Sequence, residues 1–337
     1  MKLDSFYLAG TGVCLPTLRP LREIVAAGLY SPEEAAVTQL ESVAIASDVY
    51  PPDMAVTAAR EAVRASRHHA QAIGIALHAH LGDQGILGWH AASYVHRLAV
   101  GNSCPVIEVD QRSNGGMAAI GLAISYLKAW DSDVAALVTT ADRFEDIPHG
   151  RFRFDDVLIL GDAGTACVVS RESGFARVRS FFTHTDTTLE QVHRGAASPS
   201  DGIPSGEAVA SYRERKSEYF SIHPPLRVVA RFANGGKTAV DRALADAGVA
   251  QREIDRWVLP NIGRDELESY YLRPLGIPLE ATCWLTFGRT VGHLGAGDQI
   301  AGVHHLHTTG ALRPGELCAL VGIGSGFSWS CSVLEAL

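Results

Sequence analysis

Two hydrophobic periods alternate along this chain. Short apolar runs rich in valine, alanine and leucine, such as 134–140 and 317–322, predict buried strands. Longer segments with apolar residues on one helical face, such as 54–66, predict amphipathic helices. The predicted strands are 6–10, 72–77, 106–109, 134–140, 166–170, 257–260, 317–322 and 327–334. The predicted helices are 54–66, 89–98, 117–130, 236–247, 266–272 and 297–309. This alternation predicts an α/β architecture with largely buried sheets.

The segment 183–225 breaks this regularity. It is rich in Ser, Gly, Pro and His, which predicts long loops together with a charged helix over 208–220 that covers a pocket. The sequence contains neither a low-complexity linker nor a short tandem repeat. We therefore expect two halves of one compact body, 1–174 and 175–337, joined near Gly174.

Composition narrows the class of protein. The chain has 337 residues, of which 47% are apolar and 20% charged, as in a globular protein with a sizeable core. The net charge of −8 argues against nucleic acid as a partner. No run reaches the roughly 20 apolar residues of a membrane helix, and the first residues lack a signal-peptide pattern. Six scattered cysteines without C-x-x-C predict free thiols in a reducing cytoplasm.

The turn at Ser113 is the first candidate for chemistry. It follows the predicted strand 106–109, and Gly115 and Gly116 open the helix behind it. A strand, a sharp turn and a helix expose a hydroxyl beside unpaired backbone N–H groups, which suits a nucleophile. A serine at such a position can equally be a simple helix N-cap.

A base for this serine is suggested late in the chain. His293 lies in a glycine-rich loop, and Asp298 stands at the start of the predicted helix 297–309, so the two can also be an ordinary loop residue and a helix N-terminal charge. Such a pair can orient an imidazole and let it accept a serine proton. The loop 322–326, which contains Ser325, can present backbone N–H groups to a carbonyl oxygen, or it can be a plain hairpin turn.

Two histidines raise the question of a metal. His78 and His80 point to one side of a predicted strand. Because the sequence suggests no third ligand nearby, we expect no metal site.

Four further segments carry a family resemblance. They are 10–16 (Gly-Thr-Gly-Val-Cys-Leu-Pro), 52–56 (Pro-Asp-Met-Ala-Val), 161–166 (Gly-Asp-Ala-Gly-Thr-Ala) and 324–329 (Gly-Ser-Gly-Phe-Ser-Trp). In this order and spacing the chain resembles the β-ketoacyl-acyl-carrier-protein synthase III family of the thiolase superfamily over nearly its whole length. The resemblance implies a thiolase-like fold of two similar halves, stacked as five α-β-α-β-α layers. It also implies a two-fold homodimer formed through the N-terminal half.

The catalytic positions depart from the family pattern. The family uses Cys, His and Asn, whereas the aligned positions here are Ser113, Asn261 and the neighbourhood of His293. The chain is therefore similar to a divergent branch used in natural-product pathways, some members of which carry this Ser and a late His with a nearby Asp. Because serine forms an oxyester, a poorer electrophile for carbon nucleophiles than a thioester, these changes favour acyl transfer over condensation.

The resulting hypothesis is an acyltransferase without a cofactor. It would take an acyl group from acyl-CoA or a phosphopantetheinyl acyl carrier protein onto Ser113 and pass it to a hydroxyl or amine of a small natural-product intermediate. One alternative is a starter-unit synthase that condenses a short acyl-CoA with malonyl-carrier protein, with Asn261 and His293 sharing enolate stabilisation. A second alternative is a non-catalytic partner that binds the carrier protein.

The resemblance also implies roles for other residues. The backbone N–H groups of Ser113 and Ser325 would form the oxyanion hole, Asn261 would donate a hydrogen bond, and His193 would line the pocket. The residues expected to contact the acidic carrier protein are Arg227, Arg231 and Lys237. Those expected to contact the phosphates of CoA are Arg151 and Arg153. Ordinary solvated surface is the alternative for these basic residues, and a surface loop position is the alternative for His193.

Overall fold

A computed structural model describes residues 1–130, 133–145, 147, 149–156, 158–198, 200 and 211–337. The strands are β1 Tyr7–Cys14, β2 Thr17–Pro20, β3 Ser42–Ile45, β4 Ile73–Ala79, β5 Val106–Val109, β6 Ala135–Asp142, β7 Ala163–Ser170, β8 Ala176–Thr185, β9 Arg256–Val258, β10 Leu317–Gly324 and β11 Ser328–Ala336. The α-helices are α1 Leu21–Ala26, α2 Pro32–Thr38, α3 Pro51–Ser66, α4 Ala91–Ala99, α5 Gly115–Leu127, α6 Gln191–Arg194, α7 Tyr212–Ile222, α8 Pro225–Ala247, α9 Arg264–Leu267, α10 Arg273–Leu275, α11 Arg289–Val291 and α12 Asp298–Thr308.

Among the described residues, nine strands form one mixed sheet in the order β5-β4-β6-β7-β1-β8-β11-β10-β9, and β2 pairs with β3 separately. Strand β4 runs parallel to β5 and β6, whereas β7 is antiparallel to both β6 and β1. Strands β1 and β8 meet through two residue pairs, Tyr7 with Arg177 and Leu8 with Ala176. This short junction divides the sheet into an N-terminal group of five strands and a C-terminal group of four.

Helices cover both groups and separate them. Helices α3 and α4 pack on the N-terminal group, α8 packs on the C-terminal group, and α5 and α12 contact strands of both. Most residues of α5 and α12 are buried, as expected of helices that have a sheet on either side. The arrangement gives the five predicted layers, with the α5–α12 pair at the centre.

Most of the predicted elements are confirmed, with bounds shifted by a few residues. Strand β8, whose residues alternate between buried and partly exposed only in its first half, was not predicted; its last residues run into the irregular segment 183–225. Helix α8 has 23 residues and begins at Pro225, eleven residues before the predicted start. The predicted charged helix is α7, and positions 208–210 of that prediction lie outside the described residues. All six cysteines are free thiols.

The predicted boundary near Gly174 falls in the turn between β7 and β8. The existence of two separate domains stays a prediction. Among the described residues, no helix combines the length and the apolar character needed to cross a membrane.

Candidate active site

Ser113 lies on a sharp turn between β5 and α5. Arg112 has a φ of 49°, in the left-handed region that a side chain adopts at an energetic cost, so the turn must be held by its surroundings. The Asn114 side chain does this, because its Nδ2 donates to Ser328 Oγ at 3.1 Å and Ser330 Oγ at 2.9 Å. Strand β11 of the C-terminal group thereby fixes the serine turn of the N-terminal half.

Glycines at the start of α5 let the C-terminal half approach Ser113. A Cβ on Gly116 would lie 2.4 Å from the carbonyl oxygen of Ala296, which no real side chain allows. A Cβ on Gly115 would lie 3.2 Å from the Cβ of Ala296 in the same loop, and 2.9 Å from Ala79 Cβ on β4. The paired glycines therefore bring the loop that carries His293 and Asp298 directly against the serine turn.

The backbone of His293 is pinned on both sides. Its N–H donates to the Ile159 carbonyl at 2.8 Å, and its own carbonyl accepts from Gly161 N at 2.8 Å. Farther along the loop, Gly295 has a φ of 60°, and a Cβ there would lie 2.0 Å from Asp142 Oδ2. Asp142 also accepts from the backbone N–H of Ala296 at 3.2 Å. The glycine is required because the loop closes tightly over this carboxylate.

Ser113, His293 and Asp298 form one chain of hydrogen bonds. Ser113 Oγ lies 2.8 Å from His293 Nε2, and His293 Nδ1 lies 2.7 Å from Asp298 Oδ2. A carboxylate only accepts, so Nδ1 carries the proton and Nε2 of the neutral ring is left to accept from the serine hydroxyl. The structure therefore brings together three residues that lie up to 185 positions apart in the sequence and have the connectivity of a nucleophile, a base and an orienting acid.

Asp298 is held by more than the histidine. Its Oδ1 accepts from Leu294 N at 2.8 Å and from Asn261 Nδ2 at 3.0 Å, and its Oδ2 accepts from Asn261 N at 2.9 Å. The Asn261 amide therefore faces the carboxylate and does not line the cavity beside Ser113. The expected hydrogen bond from Asn261 to substrate is replaced by one that orients Asp298.

The charge of Asp298 sets the protonation of His293. Burial of the ring opposes its protonation, but the Asp298 carboxylate favours the charged form by its charge and its hydrogen bond. The net result is a pKa of His293 above its ordinary value. The ring is thus a better proton acceptor than an isolated buried histidine.

Ser113 and His293 open onto a cavity of about 750 Å³. This volume is within the range of about 300–1,000 Å³ that is usual for small-molecule sites. Ser325, in the turn between β10 and β11, also lines the cavity, as the sequence predicted. The alternative prediction, that 322–326 forms a hairpin turn, is also confirmed, because β10 and β11 pair directly on either side of this turn.

His193 lines the same cavity, as expected. Its ring stacks on Tyr212 with centroids 4.1 Å apart and meets the edge of Phe327 at 5.0 Å. Burial, helped by the nearby positive charge of Lys216, lowers the pKa of His193 to about 3. This second histidine is therefore neutral at physiological pH.

A buried lysine completes the wall beside His193. Lys216 lies on α7, is 7% exposed and lines the cavity together with Asp155 and Asp156. Its Nζ donates to Asp155 Oδ1 at 2.9 Å and also to Asp156 Oδ1. Sequence reasoning missed it, because the run Arg213-Glu214-Arg215-Lys216 is typical of a solvated helix face.

The expectation that Arg151 meets CoA phosphates is wrong. The Arg151 side chain is buried, and its guanidinium donates to both oxygens of the buried Asp162 at 2.7 and 3.0 Å. Asp162 belongs to the Gly-Asp-Ala-Gly-Thr segment and also accepts from the backbone N–H groups of Ala46 and Phe144. Arg151 is thus a structural cation. Arg153, the other residue in this prediction, is exposed.

The basic residues of α8 are mostly paired within the chain. Arg231 contacts Asp186 at 2.5 Å, and Lys237 contacts Asp241 at 2.5 Å one helical turn away. Arg227 is exposed near the start of the helix. Because two of the three charges are balanced locally, a carrier-protein surface here stays a prediction.

His78 and His80 do not converge on a metal geometry. His78 is buried between Thr139 Oγ1 at 2.9 Å and Gln84 Oε1 at 3.2 Å, and burial lowers its pKa to about 4. In the part of the chain that the structure describes, no three His, Cys, Asp or Glu side chains lie close enough together to hold a metal ion.

Known proteins share this architecture. Residues 244–336 match the family model of the 3-oxoacyl-[acyl-carrier-protein (ACP)] synthase III C terminal. The β-ketoacyl-[acyl-carrier-protein] synthase III of Erythrobacter litoralis is 26% identical over 336 residues, covering 97% of this chain and 98% of that protein. The protein of the same name from Rhizorhabdus wittichii is 24% identical over 282 residues, covering 84% of this chain and 83% of that protein.

Solved structures agree with these relatives. The 3-oxoacyl-[acyl-carrier-protein] synthase III of Aquifex aeolicus superposes with a TM-score of 0.78 at 18% identity, covering 98% of this chain and 99% of that one, which shows the shared fold. The acyltransferase ChlB3 superposes with a TM-score of 0.93 at 32% identity, covering 99% of this chain and 98% of that one. The chain therefore belongs to the β-ketoacyl-acyl-carrier-protein synthase III-like family, with the thiolase fold.

Proposed function

We propose that this protein is an acyltransferase that works through an acyl-Ser113 intermediate. The observation that carries the proposal is the unbroken chain from Ser113 Oγ through His293 to Asp298, with distances of 2.8 and 2.7 Å. The similarity to the acyltransferase ChlB3 along nearly the whole chain supports the same class of reaction. The proposed donor is an acyl-CoA or acyl carrier protein, and the proposed acceptor is a hydroxyl or amine of a small molecule.

In the first step Ser113 takes the acyl group. Its Oγ attacks the carbonyl carbon of the donor thioester while His293 Nε2 accepts the hydroxyl proton. The carbonyl oxygen becomes an oxyanion, which the backbone N–H groups of Ser113 and Ser325 are proposed to stabilise. The carbon–sulfur bond then breaks, the proton passes from Nε2 to the departing sulfur, and an oxyester remains on Ser113.

In the second step His293 acts on the acceptor. Nε2 accepts the proton of the acceptor hydroxyl or amine as that group attacks the ester carbonyl, and the bond between the carbonyl carbon and Ser113 Oγ breaks. The proton then returns to Oγ, which restores the enzyme. Asp298 holds Nδ1–H throughout and stabilises the imidazolium formed in each step.

The identity of the nucleophile favours this reaction over condensation. Decarboxylative condensation needs groups that stabilise an enolate and a thioester that accepts a carbon nucleophile. Here the nucleophile is a hydroxyl, and the Asn261 amide is committed to Asp298 at 3.0 Å. An oxyester is adequate for attack by oxygen or nitrogen, so the residues are consistent with transfer to such an acceptor, within the two-fold dimer that we expect from the family.

The test is intact-protein mass spectrometry with a panel of acyl-CoA and acyl-carrier-protein donors. We expect a mass gain equal to the acyl group in the wild type and none in Ser113→Ala, because the ester needs the hydroxyl. The loaded enzyme should lose the added mass when a hydroxyl or amine acceptor is supplied.

Two other results would each support one of the two alternative functions. Release of CO₂ from malonyl-carrier protein that depends on the loaded enzyme would support a starter-unit synthase. Binding of carrier protein without any adduct, from every donor tested, would contradict acyl transfer through Ser113 and favour a non-catalytic partner.

A further inference from the structure

The wall of the cavity beside His193 contains charges that the proposed reaction does not use. Lys216 and Asp155 are both buried there, next to aromatic side chains such as Tyr212 and Phe327. A buried ion pair is a poor source of stability, because desolvating the charges costs about as much as their attraction returns. A cavity that received only hydrocarbon would therefore be better lined by apolar residues.

His193 and Lys216 lie side by side in this wall. Helices α6 and α7 pack against each other, and Arg215, the residue before Lys216, donates to the His193 carbonyl oxygen at 3.1 Å. The positive charge of Lys216 is also the second cause, after burial, of the low pKa of His193. The two side chains therefore share one electrostatic environment.

Both residues retain hydrogen-bonding capacity. The Nδ1 atom of His193 is enclosed and has no partner among the described residues. Lys216 has three N–H bonds and, within the described chain, donates to two carboxylates, those of Asp155 and Asp156. An enclosed polar atom without a partner costs free energy unless a ligand satisfies it. The third N–H bond of Lys216, on the cavity wall beside the His193 ring, therefore points to a polar ligand atom as its partner.

We propose that His193 and Lys216 form a polar subsite that binds a hydroxyl or keto oxygen of the transferred acyl group. This inference rests on the proposed function. In a transfer that proceeds through acyl-Ser113, the acyl group occupies the cavity in both steps, whereas the donor thiol and the acceptor replace each other. The enzyme would therefore prefer an oxygenated acyl group to the corresponding hydrocarbon.

The charge balance specifies a neutral oxygen. Two carboxylates, Asp155 and Asp156, already surround the single ammonium of Lys216, so an anionic substituent would be repelled. A hydroxyl can accept from the ammonium and also donate to an unprotonated imidazole nitrogen, and a keto oxygen can only accept. A hydroxyl group uses the subsite most fully.

The experiment compares N-acetylcysteamine thioesters that differ by one oxygen, namely butanoyl against 3-hydroxybutanoyl and benzoyl against its three monohydroxylated isomers. Single-turnover acylation of Ser113 is followed by mass spectrometry. For at least one pair we expect the wild type to favour the oxygenated member by about tenfold or more, the effect of one hydrogen bond to a charged group. In Lys216→Met and His193→Phe the ratio should fall to about twofold or less, since the bond is lost.

A structural role would give a different pattern. If Lys216 only fastens α7 to Asp155 and Asp156, its replacement would slow both members of a pair equally and leave their ratio unchanged, which would overturn the proposal. Lys128→Met, which removes an exposed lysine at the end of α5, is the matched control and should retain the wild-type ratio. Discrimination that arises only in the transfer step would also overturn the assignment to the acyl group.

A binding measurement separates failure of the subsite from failure of the proposed function. Ser113→Ala cannot form the ester, so calorimetry on this variant reports the affinity for each thioester without chemistry. A preference for the oxygenated member, lost in Ser113→Ala/Lys216→Met, supports the subsite even if the wild type is never acylated. Equal affinities within every pair would contradict the subsite while leaving acyl transfer through Ser113 intact.

Discussion

Two histidines line the same cavity, yet their pKa values are shifted in opposite directions. The pKa of His293 lies above its ordinary value, and that of His193 is lowered to about 3. Burial alone would lower both, because it penalises the charged ring. The two rings differ in their neighbours. The Asp298 carboxylate lies 2.7 Å from Nδ1 of His293. Nδ1 of His193 has no partner among the described residues, and the Lys216 ammonium lies near that ring.

This difference supports the two proposed roles, proton transfer for His293 and recognition for His193. A base must gain and lose a proton during each turnover, so it needs a neighbour that stabilises its charged form. A neutral imidazole keeps a fixed pattern of one donor and one acceptor, which suits the binding of a neutral ligand atom. Residue type and burial do not distinguish the two roles, but the partner of one ring nitrogen does.

The largest expected effect comes from replacing His293 by glutamine, compared with the same replacement of His193. His293→Gln should lower the rate of acylation by about 10³–10⁴-fold, because serine loses its base. His193→Gln should cost far less, about tenfold, because only binding contacts change. Single-turnover mass spectrometry with one donor measures both. If the two variants lost acylation rate to a similar extent, the assignment of His293 as base and His193 as binding residue would be wrong.

Asp298→Asn should lower the pKa of His293, which is the direction in which the pKa of His193 is already shifted. The amide removes the negative charge, so the pKa of His293 falls, and it can hold the ring in the wrong tautomer, so we expect a loss of about 10²–10⁴-fold in acylation. Because the reaction needs neutral His293, its rate falls as the pH drops through that pKa. The acid limb of the rate profile should therefore move to lower pH. Asp241→Asn, on the exposed face of α8, is the control and should leave the limb in place.

The fold and the hydrogen-bonded chain of Ser113, His293 and Asp298 were predicted from the sequence more completely than the wall of the cavity. Hydrophobic periodicity located most of the buried strands and helices, and the family pattern aligned Ser113 and pointed to His293. Periodicity cannot show that Lys216 turns inward, because its helix has charged residues on every side, and no local pattern links it to Asp155, 61 residues away. Arg151 was misassigned for the same reason, since its partner Asp162 is brought close only by folding.

Asn261 shows how an alignment can identify a position without its role. The family pattern places a histidine there, facing the substrate, and the sequence alone could not show that the shorter amide turns to Asp298. The alternation of Pro260 and Ile262, which line the cavity, with Asn261, which does not, is visible only in the structure.

Asn261→Ala tests this positioning role. It removes one of four hydrogen bonds to Asp298 but leaves the backbone N–H of residue 261 in place, so we expect a loss of about ten- to a hundredfold in kcat. KM should change little, because the amide does not line the cavity. Asn234→Ala, on the exposed side of α8, is the control. A rise in KM at constant kcat would show instead that Asn261 binds substrate.

The smallest expected effect is a change in the pKa of His193, the second of the two histidines. Lys216→Met removes a positive charge and leaves Asp156 to favour protonation of the ring, so the pKa of His193 should rise. It should stay below its ordinary value, since burial is the larger cause and persists. Carbon-13-labelled histidine followed by NMR across pH measures this, with His193→Gln to assign the signal. If the pKa of His193 did not move, burial alone would explain its neutral state, and the ammonium would have no part in the contrast with His293.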